Sequence, residues 1–389
     1  MRALIVDPWD GRATLAAVRA LGAAGWHVGV GAPRPRTLST ASRWCTYWDP
    51  VPSLEQGLDA FVDAVNGAVS RRGYDVVFSS SDGEVLALSH ARERIDARVP
   101  YASDEVVARA FDKLCLAEAA TRVGIASPAM ALAGDPIAER LSQRPVVVKE
   151  RTHGALAVHG RPARAEVAIC HSPVQVAARL AALNGTALIQ ELVEGRLGAF
   201  TVVVDRDGDV LARVQQRAER TWPATAGCSV RARTVAIDEE LATKVGALMA
   251  ELGWFGLAQL QFMEPEGAEP LLIDFNGRFY GSMSLALGAG VNLPALWASL
   301  ATGDRPTGRH DGRPGVRYQY LEGDLQVARA ERRGGLGRDL ASCLRYAVGA
   351  RHSILSARDP RPGLRASLGL LGEAAQVLRH RLPGARRGP

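Results

Sequence analysis

Lysine is nearly absent from this sequence, although basic residues are common. Of the 47 lysine and arginine residues, only three are lysine, namely Lys113, Lys149 and Lys244. Arginine therefore serves wherever a generic surface cation is sufficient. Because lysine carries a compact point charge and arginine a planar fork of donors, each retained lysine is a candidate for a site that needs an ammonium group.

The sequence also lacks paired cysteines and long apolar runs. Its five cysteines are scattered and form no CxxC pair, which argues against a disulfide framework or a zinc site and fits a reducing compartment. The first apolar run has only four residues before Asp7, which is too short for a secretion signal. No uncharged apolar stretch reaches membrane-spanning length. We therefore expect a soluble, cytoplasmic protein.

The first 105 residues alternate between strand and helix patterns. The segments RALIVD, HVGVGAP and YDVVFSS are predicted strands, and helical patterns follow the first and the last of them. This alternation predicts a small parallel sheet. The turn DPWDGRAT, after the first strand, lacks the GxGxxG fingerprint, which argues against a nicotinamide-binding domain.

The basic excess of the chain lies at its C-terminal end. From Asp311 onward there are 15 arginines and seven acidic residues, so the rest of the chain is slightly acidic. Aromatic residues that could stack on bases are nearly absent there, which favours a solvated helical extension over a nucleic-acid-binding or membrane-binding surface. Since the chemically suggestive motifs all precede it, we expect this extension to lie outside the catalytic machinery.

The segment LLIDFNGRFYGS, at 271–282, carries the strongest chemical signal. Asp274, Asn276 and Arg278 follow an apolar strand at intervals of two, which places them on one face. Gln261 lies in the preceding strand of the same predicted hairpin and can converge on that face. Oxygen ligands of this kind suit Mg²⁺. A polar sheet face turned to water is the alternative interpretation.

Two other segments are candidates for contacts with phosphate and with a base. Lys149 ends the predicted strand PVVVKER, ahead of a loop with Gly154 and Gly160, where an ammonium can bind phosphate; a lysine reaching the surface is the alternative. The segment at 189–195, IQELVEG, is a strand entering a turn. Its backbone could bind an adenine edge, or it could be a plain turn.

Arg217 and Arg220 lie in the segment QQRAERTWP, at the end of the first predicted hairpin. Arginines at such a position could clamp a transferring phosphoryl group or a substrate carboxylate. The alternative is that both are surface residues of a hairpin strand.

The order of these motifs resembles that of the ATP-grasp superfamily. The segment LLIDFNGRFYGS, with the GxGVNLP run that follows it, is similar to the family pattern EINPR, GS and G-D-P. The sequence looks closest to the branch that contains the carbamoyl-phosphate synthetase large subunit and stand-alone carboxylate–amine ligases. Two departures are Asp274, where the family usually has Glu, and Gly277, where it usually has Pro.

The resemblance implies an α/β domain followed by an α+β domain. A small parallel pre-ATP-grasp domain is expected at 1–105 and an ATP-grasp domain at 106–310, with a helical, arginine-rich extension at 311–389. Within the ATP-grasp domain, the resemblance implies a lid at about 128–190 and a metal-binding subdomain at about 191–310.

The resemblance also implies a role for each candidate residue. Three residues match metal ligands: Gln261, Asp274 and Asn276. Four match nucleotide-binding positions, two through phosphate and two through an adenine-binding hinge: Lys113, Lys149, Glu191 and Val193. Three are candidate catalytic cations, the first of which matches the cation that faces the reacting phosphate: Arg278, Arg220 and Arg217.

The implied activity is that of an ADP-forming carboxylate–amine ligase. It would use ATP and Mg²⁺, with two ions expected and Mn²⁺ as a substitute, and its partners would be a small carboxylic acid and an amine. A homo-oligomer is compatible with the sequence. Two alternatives stay open at this point: a kinase acting on a small hydroxyl or enol compound, and a nucleotide-binding module without catalytic activity.

Overall fold

A four-stranded parallel sheet forms the N-terminal part of the chain. The computed structural model describes residues 1–152, 167–183, 187–223 and 227–367. The strands pair in the order β3-β2-β1-β4, as the alternating sequence pattern predicts. The elements of this part are β1 (Arg2–Val6), α1 (Arg12–Ala23), β2 (His27–Ala32), β3 (Cys45–Pro50), α2 (Leu58–Arg72), β4 (Val76–Ser79) and α3 (Asp82–His90), with 3₁₀ turns at Leu54–Gln56 and Arg92–Arg94.

Two short helices, α4 (Asp104–Phe111) and α5 (Lys113–Arg122), connect this sheet to the rest of the molecule. A capping residue precedes each helix, and its side chain accepts hydrogen bonds from backbone N–H groups that have no partner within the helix. Ser103 accepts from Val106 N at the start of α4, and Asp112 accepts from Leu114 N and Cys115 N at the start of α5. The second cap fixes the position of Lys113, the first residue of α5.

A second, smaller sheet lies within residues 130–191. It has the strand order β5-β8-β6-β7, and all of its pairings are antiparallel. Its own small apolar core includes Val146, Val148 and Ile189. The elements are β5 (Met130–Leu132), α6 (Pro136–Leu141), β6 (Val146–Glu150), β7 (Ala168–Cys170), α7 (Pro173–Ala182) and β8 (Ala187–Glu191).

The largest sheet contains both predicted hairpins. Its strands follow the order β13-β12-β9-β10-β11-β15-β16, and β14 pairs with β10 beside this path. The elements up to residue 301 are β9 (Arg196–Val204), β10 (Val210–Trp222), β11 (Cys228–Thr234), α8 (Glu239–Leu252), β12 (Gly256–Glu264), β13 (Leu271–Asn276), α9 (Met283–Gly288) and α10 (Leu293–Ala301).

An aromatic cluster joins the N-terminal sheet to the segment that follows β13. The Trp297 ring lies 4.8 Å from the Phe78 ring and 5.3 Å from the Phe279 ring, centroid to centroid. Its indole nitrogen donates a hydrogen bond to Pro100 O at 2.9 Å. All three rings are buried, so the two units share one core at this junction.

The C-terminal extension is helical, as expected, and it also supplies strands to the large sheet. Its elements are β14 (His310–Asp311), β15 (Arg317–Gln319), α11 (Leu321–Glu331), α12 (Leu336–Ala347) and β16 (Arg351–His352), followed by helical residues at 361–367. Asp359 also binds the N-terminal domain, because it accepts hydrogen bonds from Arg19, Ser42 and the Arg43 backbone. Among the described residues, no helix is long and apolar enough to cross a membrane.

Buried ion pairs connect the extension to β10 and β11. Arg220 donates to Asp339 through two nitrogens, at 2.9 and 2.7 Å, and to Asp324 at 3.2 Å. Arg231 donates to the other oxygen of Asp324 at 2.7 Å. Arg220, which was predicted to be a catalytic cation, is therefore bound at both of its terminal nitrogens by carboxylates of α11 and α12.

We expect Asp339→Ala to lower the free energy of unfolding by about 3 kcal/mol, because it removes a buried partner of a buried guanidinium. Denaturant unfolding monitored by circular dichroism measures this change. Asp59→Ala is the matched control, since Asp59 forms an exposed ion pair with Arg94 and should cost less than about 1 kcal/mol. Equal losses in the two variants would show that the buried pairs do not fasten the extension.

Candidate functional site

Two of the three lysines lie side by side at one end of the small sheet. Lys113 begins α5 and Lys149 lies near the end of β6. Arg151 brings the two segments together, because its Nε donates to the capping residue Asp112 at 2.6 Å and its carbonyl accepts the Lys113 N–H at 3.1 Å. The sequence signal of lysine scarcity thus selected two residues that are distant in sequence and close in space.

Both ammonium groups are buried, and they have few partners. Lys113 is 4% exposed and Lys149 is 6% exposed. The Lys149 Nζ donates to Ile273 O at 3.0 Å, whereas the Lys113 Nζ has no hydrogen-bond partner among the described residues. Since burying an ammonium without a partner is costly, this arrangement is suited to an anionic ligand that supplies the missing acceptors.

Burying the two ammonium groups side by side disfavours their charged forms. Burial, together with the positive charge of Lys113, lowers the pKa of Lys149 to about 7, while Asp274 acts in the opposite direction. Burial also lowers the pKa of Lys113, against the opposing charges of Asp274 and Asp82. Without a ligand, the site therefore holds less positive charge near neutral pH than two lysines would in water.

The lysines line a cavity of about 210 Å³ between the small and the large sheet. One part of the lining is polar and includes Lys113, Lys149 and Asp274. The other part is mostly apolar and belongs to β6, β9, β12, β13 and the segment directly after β8. Its members are Val147, Leu192, Val193, Leu197, Met263 and Ile273. An anion-binding end beside an apolar slot is suited to a molecule that has a charged group and a flat, apolar group.

The predicted hinge, Glu191 to Val193, forms one edge of this cavity. The Glu191 N–H donates to Ala129 O at 2.8 Å, so this N–H is not open to a ligand. No backbone acceptor for the Val193 N–H is found within the described residues. A carbonyl and an N–H two residues apart match the donor and acceptor pattern of an adenine edge.

The register of β12 and β13 brings the predicted metal ligands together. Gln261 lies directly opposite Asp274, and Gln259 lies opposite Asn276. In an antiparallel pair, residues that lie opposite each other share a face, so four oxygen-bearing side chains form one patch. Gln259, which sequence reasoning missed, could have been found from its spacing of two from Gln261.

This patch contains a single carboxylate. Accordingly, no group of three His, Cys, Asp or Glu residues that could hold a metal ion is found in the described parts of the chain. Mg²⁺ is commonly held by one or two protein carboxylates together with phosphate oxygens of a substrate. The donor set therefore fits Mg²⁺ when a phosphate-bearing ligand completes the coordination.

Arg278 extends from the segment after β13 toward the N-terminal domain. It donates to both oxygens of Asp82, at 2.6 and 2.8 Å, and to its neighbour Phe279 O at 3.2 Å. The charge of Asp274 also acts on it. Arg278 is thus a positive charge near the metal-ligand patch, held in a fixed orientation, and Asp82 is the partner that sequence reasoning did not assign to it.

The other two predicted cations lie away from the cavity lining. Arg217 pairs with Glu264 at 2.5 Å near an end of the large sheet, and Arg220 belongs to the buried ion pairs described above. Neither residue is in the lining of the cavity that contains the lysines.

Gly277 has a steric reason for departing from the usual proline. A Cβ atom at this position would lie 2.3 Å from the Trp254 ring, so any side chain would require the ring to move. The Trp254 ring thus occupies the space that a side chain at position 277 would need, and this ring packs against Phe275. The loop with Gly154 and Gly160, predicted to cover phosphate, lies outside the described residues.

A second cavity, of about 60 Å³, adjoins the first and shares Gln261 and Leu197 with it. Its lining includes Gln216, Gln259 and Ser282, and the Gln216 amide donates to the Ser282 hydroxyl at 3.1 Å. Arg12, from the N-terminal helix α1, also lines it. Sequence reasoning missed this cavity because its lining comes from six separate segments of the chain.

Comparisons with known proteins show which fold this chain shares. Residues 186–324 match the family model described as ATP-grasp in the biosynthetic pathway with Ter operon. No curated protein is similar in sequence. Among solved structures, the biotin carboxylase domain of Hydrogenobacter thermophilus 2-oxoglutarate carboxylase has a TM-score of 0.64 at 14% identity and covers 81% of this chain and 73% of its own.

Two further structures show the same similarity. L-amino acid ligase from Bacillus licheniformis has a TM-score of 0.60 at 15% identity, covering 79% of this chain and 75% of its own. N5-carboxyaminoimidazole synthetase from Staphylococcus aureus, complexed with ADP, has a TM-score of 0.63 at 11% identity, with 86% of both chains covered. The chain has the ATP-grasp fold. The resemblance found in the sequence is confirmed at this level.

The lowered pKa of Lys149 makes the folding stability of the protein depend on pH. Between about pH 7 and the ordinary lysine pKa of 10.5, the unfolded chain binds more protons at this residue than the folded chain. Folding stability from this group therefore rises with pH across that window. We expect Lys149→Met to be more stable than the unmodified protein at pH 6.5, and the difference to shrink toward pH 9.5.

Denaturant unfolding at several pH values measures this difference. Lys244→Met is the control, because Lys244 pairs with Glu240 on the surface of α8 and its stability difference should stay constant over the same range. A difference that is independent of pH for Lys149→Met would show that the ammonium is not strained.

Proposed function

We propose that this protein is an ATP-dependent carboxylate–amine ligase that forms an amide bond through an acyl phosphate. The observation that carries the proposal is the unpartnered Lys113 ammonium beside Lys149, in a cavity that also contains Asp274. The cavity offers two buried cations, a carboxylate and the hinge at Glu191 to Val193. This combination fits ATP better than it fits a ligand that is only anionic or only apolar.

ATP would lie with its base against the hinge and its phosphates toward the lysines. The Glu191 carbonyl and the Val193 N–H would bind the adenine edge, and the apolar slot would accommodate its faces. The two ammonium groups would bind phosphate oxygens, which restores the charge that burial suppresses in the free protein.

Asp274 would be the principal ligand of Mg²⁺, with Gln261 and Asn276 as neutral oxygen ligands. A bound ion of this kind neutralises phosphate charge and aligns the phosphates for transfer. Arg278 adds positive charge on the same side, but Asp82 occupies two of its N–H groups. We therefore assign Arg278 an electrostatic role near the transferring phosphoryl group. Arg217 stays a candidate catalytic residue, and we assign it no contact with ATP or a substrate.

The reaction would proceed in two substitution steps, each of which forms one bond and breaks another. First, a substrate carboxylate oxygen attacks the terminal phosphorus of ATP, and the bond between that phosphorus and the ADP oxygen breaks. Second, an amine nitrogen attacks the acyl carbon, orthophosphate leaves, and the nitrogen loses a proton. Phosphorylation is needed because a carboxylate oxygen is a poor leaving group, and the protein contributes alignment and charge neutralisation.

The comparisons support this proposal through what the similar proteins are named for. One is an L-amino acid ligase, one is a synthetase complexed with ADP, and the biotin carboxylase domain is in complex with MgADP and bicarbonate. Each name combines this fold with a ligation or carboxylation reaction or with an adenine nucleotide.

A screen of ADP release tests the proposal, with small carboxylic acids crossed against amines. We expect ADP and orthophosphate to appear only when an acid and an amine are both present, together with a product of their combined mass less one water. A stable phosphorylated product formed without amine would indicate a kinase. ATP binding with no ADP release from any pair would contradict the ligase assignment.

For an active pair from that screen, we expect Asp274→Asn to lower turnover by roughly 10²–10³-fold, because it removes a charge that stabilises the transition state. ATP binding should change less, since the lysines and the hinge remain. Gln261→Glu is the matched comparison and should retain activity, because Mg²⁺ accepts one or two carboxylates. Turnover is measured against Mg²⁺ concentration. Near-normal turnover of Asp274→Asn at low Mg²⁺ would show that the metal assignment is wrong.

A further inference from the structure

Arg12 is the single charged residue in the described lining of the smaller cavity. The remaining lining consists of amide, hydroxyl, thiol and apolar groups and contains no carboxylate. The cavity therefore has one positive charge and several neutral hydrogen-bonding groups. A ligand that fills it with good complementarity carries a negative charge and is small, because the volume is about 60 Å³.

The partners of Arg12 in the protein are all neutral. Its NH1 donates to the Tyr318 hydroxyl at 3.0 Å, its NH2 contacts Cys228 Sγ at 3.5 Å, and its guanidinium lies 3.7 Å from the centre of the Tyr320 ring. No ion pair joins Arg12 to a carboxylate among the described residues. The two fully buried arginines among the described residues differ, since Asp or Glu residues pair with both of them: Arg213 and Arg220.

The segment after β13 is shaped to admit this guanidinium. A Cβ atom at Gly281 would lie 3.3 Å from Arg12 NH2 and 3.5 Å from its Cζ, which is closer than most side-chain contacts. The Tyr318 hydroxyl, which accepts from Arg12, donates in turn to Gly281 O at 3.1 Å. The N-terminal helix, the Gly281 segment and the C-terminal extension thus hold Arg12 in one orientation at the cavity.

Arg12 lies in a different electrostatic neighbourhood from the proposed phosphoryl-transfer groups. The charge of Asp274 acts on Lys113, Lys149 and Arg278. The groups that act on Arg12 are Tyr318, Cys228 and Tyr320. A substrate that reaches Gln261 at the shared boundary of the two cavities would therefore present to Arg12 a part that does not react.

We propose that Arg12 is a specificity residue that binds a carboxylate which one substrate carries in addition to its reacting group. This inference rests on the proposed ligase function for the identity of the ligand as a substrate. The substrate class is then a dicarboxylic acid on the acid side or an amino acid on the amine side. Arginine is suited to this task because its planar fork matches a carboxylate in geometry and charge.

Cys228 provides a test that needs no knowledge of the substrate, because it is exposed and lies next to Arg12. Iodoacetate is a small carboxylate and iodoacetamide its neutral counterpart. In both reactions the thiolate sulfur bonds to the reagent carbon and iodide leaves. Peptide mass mapping gives the alkylation rate of Cys228 with each reagent. The ratio of the two rates cancels any change in the pKa of the thiol itself.

We expect the iodoacetate-to-iodoacetamide ratio at Cys228 to exceed that of free N-acetylcysteine, with an iodoacetate rate that saturates. Arg12→Gln should lower the ratio by roughly 10-fold or more, the scale of a hydrogen bond to a charged group. Arg206→Gln is the matched control, since Arg206 likewise stacks on an aromatic ring, Phe255, at 4.4 Å. An unchanged ratio in Arg12→Gln would overturn the inference.

Substrate pairs from the ADP-release screen provide the second test. Each amino acid is compared with the amine formed by its decarboxylation, and each dicarboxylic acid with its monoamide. We expect Arg12→Gln to raise KM for the carboxylate-bearing member by about 10–100-fold, with kcat and the neutral member little affected, and Arg12→Lys to restore part of the loss. ATP affinity and thermal unfolding of the variant exclude a general folding defect.

The two tests distinguish failure of the inference from failure of the proposed function. ADP release with an equal effect of Arg12→Gln on charged and neutral substrates would overturn the inference and leave the ligase assignment intact. A high alkylation ratio that depends on Arg12, without ADP release from any pair, would overturn the ligase assignment and keep Arg12 as an anion-binding residue.

Discussion

The ion pair between Asp82 and Arg278 is the interaction on which the arrangement of the site depends. It joins the first helix after β4 to the segment after β13 through two hydrogen bonds, next to the aromatic cluster that contains Phe279. The strand before this segment carries Asp274, and the residues after it, Gly281 and Ser282, line the smaller cavity. Fixing Arg278 against the N-terminal domain therefore fixes both cavities relative to each other.

The same region shows that the protein gives up stability where a ligand is expected. Lys113 and Lys149 are buried beside each other, although burial of an ammonium is unfavourable. Of their two ammonium groups, only that of Lys149 donates a hydrogen bond to the described part of the protein. A lysine pair on the surface would cost less folding stability but would attract phosphate less strongly, because water screens exposed charges. Burial therefore exchanges stability of the free protein for strong interaction with an anion.

The C-terminal extension has a larger part in the structure than its composition indicates. Its high arginine content and few aromatic residues predicted a solvated helical extension, yet β15 continues the large sheet and Asp324 and Asp339 bind Arg220. Tyr318 contacts Arg12 at the smaller cavity. No local sequence pattern around Tyr318 could have revealed this position.

The sequence by itself determined the parallel N-terminal sheet, both hairpins and the row of Asp274 and Asn276, because strand periodicity and turn residues act over short distances. Lysine scarcity pointed to Lys113 and Lys149, and equally to Lys244, which pairs with Glu240 on α8. Only the tertiary structure decided which arginine has which partner. Arg12, Arg220 and Arg278 look alike in sequence, yet one faces a cavity, one is enclosed by carboxylates of the extension, and one is held by Asp82. The physical reason is that a guanidinium reaches groups brought near by the fold, and these come from segments 100 or more residues away.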